Sequence, residues 1–369
     1  MDRKIKIIII GVIILLVIIG AGIFKYVSLF SAPQREAKIQ QFTIAIGKDD
    51  SSEVTQQLKA QGFIRSEQGF KIALFGLIST NSICVDCIKP GAYKISEAMN
   101  VWEIAKILKA EPYMKWVVIP EGLRKEQIAE ILAETLGWDK QKKSDWVIKF
   151  TAMKYDYVEG VYFPDTYLIP TDETPLEVAQ RFINKFNEKF APYADKFTAA
   201  NIKWTTALKI ASIIQRETAD KADMPLIAGI IWNRLLKGMK LEIDATVQYV
   251  RDDQVHFKDD SCQDPESTAR KNGLCYNPEL LQPTAEYISE GIWWSLIKVA
   301  DKQIDSPYNT YLYKGLPPHP IANPGIDAID AVLNSTETEC LFYLHDSNKQ
   351  IHCAKTYEEH LVNIEKYLR

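Results

Sequence analysis

The chain has 369 residues, of which 47% are hydrophobic and 25% are charged, and its formal net charge is −4. This length accommodates two domains with ordinary hydrophobic cores, and the composition excludes a disordered chain. The slight negative charge offers no basic surface for neutralising phosphates, so we expect no nucleic-acid partner.

An uncharged apolar run stands near the start of the chain, from Ile7 to Phe24. As a helix it would measure roughly 27 Å, close to the thickness of a bilayer core. Three cations precede it: Arg3, Lys4 and Lys6. By the positive-inside rule, we predict a single-pass cell-membrane protein in which residues 1–6 form a cytoplasmic tail and the larger domain that follows the anchor is extracytoplasmic. We predict an uncleaved anchor at residues 7–24; a cleaved signal peptide is the alternative, but the run is long for one.

Residues 25–39 are predicted to form a polar linker, and a recurring strand–turn–helix pattern follows it. Gln41 to Gly47 alternates like a strand, and the next segment places Val54 and Leu58 on one helical stripe. This pattern predicts a small α+β module at residues 40–112, of the LysM-like type. An ordinary packing domain fits the same pattern.

The remaining residues, 113–369, are predicted to form a larger catalytic domain. Helical stripes dominate from about Trp138 to Met239, strand-like and irregular pieces alternate from Leu241, and a helix from Tyr357 to Leu368 ends the chain. The predicted fold class is therefore α+β, with an N-terminal membrane helix, the small LysM-like module and the larger α+β domain.

Six cysteines are consistent with export to an oxidising compartment. Three local disulfides, listed here, are the preferred connectivity among the fifteen that six cysteines allow: Cys84–Cys87, Cys262–Cys275 and Cys340–Cys353. The last pair flanks a predicted hairpin. Neither a second CxxC nor a histidine pair completes a metal site, so we predict no metal.

Glu217 is the most informative candidate for chemistry. Ile210, Ile213, Ile214 and Glu217 follow the i, i+3, i+4, i+7 spacing of one helical stripe. A carboxylate at the edge of an isoleucine stripe is poorly solvated, which should raise its pKa and let it donate a proton near neutral pH. The alternative is a structural carboxylate paired with an arginine or a helix N-terminus.

The next helical stripe places Arg234 on a face that should be buried, where a guanidinium needs an anion. Asp244 is the predicted partner. Gln248 and Tyr249 follow a few residues later, with amide and hydroxyl groups of the kind that bind sugar hydroxyls.

Two further loops combine turn residues with polar and aromatic side chains. Glu159 and Asp165 belong to the segment EGVYFPDTY, and Tyr308, Asn309 and Tyr311 belong to SPYNTY. Prolines restrict the backbone of such loops and so preorganise the groups that they present. Loops of this kind also serve only to turn the chain.

Five ordered motifs resemble one known family. The segments EGVYFPDTY, ASIIQRET, NRL with the following DATVQY, SPYNTYLYKGLPP with NPG, and TYEEHL are similar to those of the endolytic murein transglycosylases, the MltG/YceG-like proteins. The similarity covers nearly everything after the linker. Gln215 stands where family members often carry Glu, and the segment 251–305 is longer than expected.

The resemblance implies a lyase without a cofactor that cleaves the MurNAc–GlcNAc bond of peptidoglycan and leaves 1,6-anhydroMurNAc ends. It places the catalytic acid at Glu217, and we predict that eight other residues bind the glycan: Glu159, Asp165, Asp244, Gln248, Tyr249, Tyr308, Asn309 and Tyr311. The implied partners are peptidoglycan strands, the membrane and, as candidates, peptidoglycan synthases, with a role in ending nascent strands.

Two rival functions stay open from the sequence. A hydrolase would use a pair of carboxylates, with Glu159 or Asp165 as the second acid. A non-catalytic scaffold would bind peptidoglycan through the LysM-like module while the larger domain only packs.

Overall fold

The computed structural model of the protein describes residues 3–76, 88–150, 159–256 and 293–369. The chain folds into two compact units. The first comprises Met1–Val117 and Tyr167–Asp172, and the second comprises Val118–Thr166 and Glu173–Arg369. The chain therefore leaves the first unit near residue 118 and returns to it for one short segment.

The first helix, α1 (Arg3–Phe30), contains an apolar stretch of 23 residues, Ile8–Phe30, with a mean hydropathy of 2.9. At about 1.5 Å per residue this stretch is long enough to cross a bilayer. The helix continues past the predicted end of the anchor at Phe24, because residues 26–30 are again largely apolar. Its last residue, Phe30, stacks on Trp102 with ring centroids 5.8 Å apart.

A four-stranded sheet organises the first unit. Its strands lie in the order β1 (Gln40–Ile44), β2 (Gly91–Ile95), β3 (Met114–Val118) and β4 (Thr166–Pro170). Strands β1 and β2 are antiparallel, with Phe42 opposite Tyr93. The fourth strand comes from the segment that returns to this unit, a long-range pairing that local periodicity does not reveal.

Three helices pack on this sheet: α2 (Ser51–Ala60), α3 (Glu67–Gly76) and α4 (Val101–Lys109). Phe42, Val54, Leu58, Phe70 and Ile104 are all fully buried in their shared core. The stripe predicted through Val54 and Leu58 thus faces the sheet. The LysM-like assignment of this module stays a prediction.

The second unit is mainly helical. Among the described residues its α-helices are α5 (Lys125–Leu136), α6 (Lys140–Ser144), α7 (Pro175–Ala199), α8 (Trp204–Glu217), α9 (Met224–Leu236), α10 (Asp244–His256), α11 (Ile326–Leu333) and α12 (Tyr357–Tyr367). Helix α8 packs against α7, α9, α10 and α11, so it is the central helix of this unit.

Capping groups and aromatic packing fix the long helices. Thr174 and Glu177 form a capping box at the start of α7, where Pro175 takes the first turn. The fully buried indole of Trp146 contacts the rings of Tyr162 and Phe182 at centroid distances of 5.5 and 5.6 Å. This aromatic cluster ties α7 to the segment that precedes β4.

A hairpin of β5 (Phe342–His345) and β6 (Ile351–Ala354) lies near the end of the chain. A disulfide joins Cys340 to Cys353 across it, which confirms the predicted pair. The other two predicted pairs, Cys84–Cys87 and Cys262–Cys275, fall outside the described residues.

The mixture of helices and sheets agrees with the α+β class, but one predicted segment was wrong. The strand-like pieces expected just after Leu241 are instead the helix α10. Ala245, Val247 and Tyr249 alternate as in a strand, yet the intervening Thr246 and the following Val250 are buried as well. A helix buried on several sides loses the one-sided pattern by which a helix is recognised.

Candidate active site

Helix α8 carries a carboxylate at the end of a buried stripe. Ile210, Ile213 and Ile214 are fully buried, whereas Glu217, the last residue of the helix, is only partly buried. The structure therefore places Glu217 where the apolar core meets the surface, as its spacing predicts. This position lets its carboxyl group meet a substrate while most of its surroundings stay apolar.

Two groups hold the carboxyl of Glu217. The hydroxyl of Tyr343 donates a hydrogen bond to Oε2 at 2.7 Å. The backbone N–H of Ala245 lies 3.4 Å from Oε1, which is long for a hydrogen bond and correspondingly weak. Strand β5 and the start of α10 thus fix the carboxyl from two sides.

Burial raises the pKa of Glu217, and the negative charge of Asp244 acts in the same direction. The hydrogen bonds from Tyr343 and Ala245 oppose this effect because they stabilise the carboxylate. The net direction is upward. A carboxylic acid with a raised pKa keeps its proton closer to neutral pH, as a general acid requires.

Tyr343 is the main site residue that the sequence analysis did not identify. It lies on β5 opposite Cys353 of β6, and its side chain is partly buried. The strand alternation puts Tyr343 and His345 on the same face, and their rings lie 6.1 Å apart. Strand alternation alone could have assigned Tyr343 and His345 to one face of the hairpin. It does not identify Glu217 as the residue that Tyr343 contacts.

Asp244 and Tyr311 form a polar row beside Glu217. The hydroxyl of Tyr311 donates to Oδ1 of Asp244 at 2.6 Å, and Nζ of Lys302 donates to the Tyr311 hydroxyl at 2.9 Å. Asp244 precedes Ala245, the residue that contacts Glu217. The structure therefore brings two of the predicted binding residues to the candidate acid.

The predicted pairing of Arg234 with Asp244 was wrong. The Arg234 guanidinium donates to the carbonyls of Leu341 and Leu241, each at 2.6 Å, and lies 3.5 Å from the carboxylate of Glu242. A guanidinium has five N–H donors, so backbone carbonyls satisfy it as well as a carboxylate does. Asp244 instead accepts a hydrogen bond from Tyr311.

Three other predicted residues line or support the same region. Nε2 of Gln248 donates to the carbonyls of Trp294 and Ser295, both at 3.0 Å. The ring of Tyr249 is buried and lies 5.1 Å from that of Tyr308, which is partly exposed. Tyr308 is therefore the one of these three whose ring is positioned for stacking on a ligand.

Asn309 is fully buried and organises its own loop. Its Nδ2 donates to the carbonyls of Lys302 and Ile304 at 3.1 and 2.8 Å, and its Oδ1 accepts from the N–H of Tyr311 at 3.0 Å. The side chain thus fixes the backbone of Tyr311 rather than reaching solvent.

The structure does not bring Glu159 or Asp165 to Glu217 through any described hydrogen bond. Glu159 is fully buried, and it accepts from the N–H of Lys125 at 3.0 Å and from Nδ2 of Asn323 at 2.8 Å. Burial raises its pKa as well, but solvent does not reach it. Oδ1 of Asp165 accepts from the N–H of Thr166 at 2.8 Å, at the start of β4.

The residues beside Glu217 anchor the end of α8. Oε1 of Gln215 accepts from the N–H of Gly325 at 3.0 Å, and its Nε2 lies 3.3 Å from Oε2 of Glu121. The guanidinium of Arg216 stacks on the ring of Trp294 at 4.1 Å. An amide at position 215 can both accept and donate, which a glutamate there could not do beside Glu121.

This fold and site define an α+β protein with a half-buried carboxylic acid at the end of a core helix. The chain belongs to the YceG-like family, whose model matches residues 42–366. The match includes residues of both units and the whole candidate site.

Two named relatives are similar over much of the chain. The endolytic murein transglycosylase of Bacillus subtilis (strain 168) is 26% identical, over 95% of this chain and 91% of that protein. The endolytic murein transglycosylase of Streptococcus pneumoniae (strain D39) is 24% identical, over 76% of this chain and 51% of that protein.

A solved structure shares the fold. The crystal structure of a YceG-like protein of Listeria monocytogenes has a TM-score of 0.51 and 24% sequence identity to this chain, covering 89% of this chain and 100% of that one. At this level of identity the similarity concerns the fold.

Proposed function

We propose that this chain is a lytic transglycosylase that cleaves the bond between MurNAc and GlcNAc in peptidoglycan strands. The observation that carries the proposal is the half-buried Glu217, whose pKa is raised by burial and whose carboxyl is held by Tyr343. The names of the curated relatives support the same reaction.

In the proposed reaction, Glu217 acts first as acid and then as base. Its proton passes to the glycosidic oxygen as the bond from C1 of MurNAc to that oxygen breaks. The C6 hydroxyl of the same MurNAc attacks C1 and releases its proton to the Glu217 carboxylate. The products are a 1,6-anhydroMurNAc end and a GlcNAc with a free hydroxyl, and no water is consumed.

One carboxyl group suffices for this chemistry because the substrate supplies the nucleophile that a second carboxylate or a water provides in other glycosidases. Glu159 is a poor candidate for a second acid, since its side chain is fully buried and accepts hydrogen bonds from Lys125 and Asn323. The burial of Glu159 therefore counts against a hydrolase that uses it as the second acid.

The glycan would be bound by the polar row and the aromatic rings beside Glu217. We assign direct contacts to Asp244, Tyr308 and Tyr311, whose side chains are at least partly exposed. Asn309 and Gln248 would act indirectly, because their amides already bond the backbone of the surrounding loops. Fixed hydrogen-bonding groups of this kind orient a substrate before reaction.

We further propose that the apolar stretch Ile8–Phe30 anchors the enzyme in the cell membrane with the second unit outside the cytoplasm. The length and hydropathy of the stretch support an anchor, and the disulfide Cys340–Cys353 fits an oxidising compartment. An enzyme so anchored would act on nascent glycan strands close to the membrane, beside the peptidoglycan synthases, with the LysM-like module contributing to glycan binding.

Mass spectrometry of the products tests the reaction. The full-length protein is incubated with purified peptidoglycan, and the soluble fragments are compared with those from E217Q. Anhydro ends from the wild type and none from E217Q are expected. Fragments heavier by one water would instead identify a hydrolase. Equal release of fragments by wild type and E217Q would show that Glu217 has no catalytic part and would favour the binding scaffold.

A further inference from the structure

The hydrogen bond between Tyr343 and Glu217 is asymmetric with respect to the two carboxyl oxygens. Oε2 receives the phenol O–H at 2.7 Å, whereas the donor to Oε1 within the described residues is the distant N–H of Ala245 at 3.4 Å. The two oxygens of a carboxylic acid are chemically different, since one carries the proton and the other is a carbonyl.

We propose that Tyr343 is a positioning residue that occupies Oε2 of Glu217, so that the acidic proton is carried on Oε1 and directed at the glycosidic oxygen. This inference rests on the proposed transglycosylase function and names the atom that performs its proton transfers. The assignment of the role to Tyr343 comes from its contact with the carboxyl.

The chemistry of the two groups fixes the direction of the hydrogen bond. Burial and the neighbouring Glu217 raise the pKa of Tyr343 well above its usual value, so the phenol stays protonated and donates at every physiological pH. A donor prefers the carbonyl oxygen of a carboxylic acid, because that oxygen is the better acceptor. The proton of neutral Glu217 is therefore placed on the opposite oxygen, Oε1.

The strand that carries Tyr343 is held from both sides. The disulfide between Cys340 and Cys353 closes the hairpin, and Cys353 lies opposite Tyr343. On the other side, Nε of Arg234 donates to the carbonyl of Leu341 at 2.6 Å, and Nδ2 of Asn233 donates to the carbonyl of Cys340 at 3.2 Å. A hydroxyl held this firmly costs little reorganisation during reaction.

Other charged and titratable groups also act on Glu217. Asp244 raises the pKa of Glu217 and His345 lowers it. The charge of Glu217 in turn acts upward on the pKa of two further groups, Arg216 and Tyr311. Replacing Tyr343 by phenylalanine leaves all four in place. The change removes one hydrogen bond and keeps the ring.

The test compares Y343F with the matched variant Y357F in the full-length protein. The Y357F change also removes only a hydroxyl. The half-exposed ring of Tyr357 packs on that of Phe342, with ring centroids 5.8 Å apart. We expect kcat of Y343F to fall about ten- to a hundredfold, with little change in KM, since Glu217 becomes a carboxylate when it gives up its proton and the hydrogen bond to that charged form is lost. We expect Y357F to match the wild type.

The pH profile separates positioning from mere stability. The bond from Tyr343 favours the carboxylate and lowers the pKa of Glu217, so its removal raises that pKa. The acid form then persists to higher pH, and the alkaline limb of kcat/KM moves upward in Y343F. An unchanged kcat, or a lower kcat with an unmoved alkaline limb, would overturn the proposal.

A titration of Glu217 without substrate tests the role of Tyr343 independently of the proposed transglycosylase activity. Glutamate labelled with 13C at the carboxyl is introduced into wild type and Y343F, and the Glu217 signal is assigned by its loss in E217Q. A higher pKa in Y343F is expected. If the wild type made no anhydro products, the proposed function would fail whatever the titration showed; an unmoved Glu217 titration would refute the role of Tyr343 alone.

Discussion

The hydroxyl of Tyr311 donates to Oδ1 of Asp244 at 2.6 Å, and the residue after Asp244 contacts the carboxyl of Glu217 through its backbone. Asp244 thus joins the SPYNTY loop to the candidate acid and places a second negative charge near it. This charge disfavours ionisation of Glu217 and raises its pKa.

D244N should move the alkaline limb of the activity profile to lower pH. Without the aspartate charge the pKa of Glu217 falls, so the acid loses its proton at a lower pH, opposite to the shift expected of Y343F. Asparagine keeps an oxygen that can accept from Tyr311. The profile of kcat/KM against pH is the measurement.

Salt provides a second check on D244N. The Asp244 side chain is 54% exposed, so the effect of its charge should weaken as ionic strength rises. D305N is the matched control, because Asp305 accepts from Tyr313 in a similar exposed pair. A shift of equal size at low and high salt would point to altered geometry and against the electrostatic explanation.

E217Q should reduce activity by at least about a hundredfold, the lower range for loss of a general acid. Its thermal stability should equal or exceed that of the wild type, because a poorly solvated carboxyl group is removed and catalytic residues often cost stability. Reaction rates and Tm are both measured, with E134Q, on the exposed surface of α5, as control. A destabilised E217Q would indicate a structural carboxylate.

Local periodicity predicted the position of Glu217, because Ile210, Ile213 and Ile214 lie within two turns of the same helix and the structure places Glu217 at the end of that buried stripe; its role as the acid stays a prediction. Periodicity could not identify Tyr343, whose contact with Glu217 spans 126 residues of sequence. The fourth strand of the sheet escaped prediction for the same reason, because β4 lies next to β3 in the sheet but is distant from it in sequence.

The partners of polar groups were harder to predict than the groups themselves. Arg234 was recognised as a buried cation that needs acceptors, but the carbonyls of Leu341 and Leu241 supply them. Backbone carbonyls occur at every residue, so sequence alone does not distinguish them from Asp244 as partners. The acceptors of the Arg234 guanidinium are therefore known only from the folded structure.

E159Q should lower the free energy of unfolding by roughly 1–3 kcal/mol, the usual cost of leaving a buried polar group unsatisfied. Glu159 accepts from Lys125 and Asn323 in a fully buried site, and an amide would turn one acceptor into a donor facing them. Urea denaturation measures the loss, and D165N, at a partly exposed carboxylate, should stay within about 0.5 kcal/mol of wild type. A stable E159Q without activity would revive the second-acid hypothesis.

Replacing both Cys340 and Cys353 by serine should reduce stability and activity together. The two cysteines are 13 residues apart, and closing a loop of about that size is worth roughly 3 kcal/mol in the chain-entropy account. The hairpin also carries Tyr343 opposite Cys353, so a looser hairpin should weaken its hydrogen bond to Glu217 and lower kcat. Urea denaturation and kcat are measured, with C84S/C87S as the control for loss of another cysteine pair. A double variant with wild-type kcat would show that α9 alone holds the strand in place.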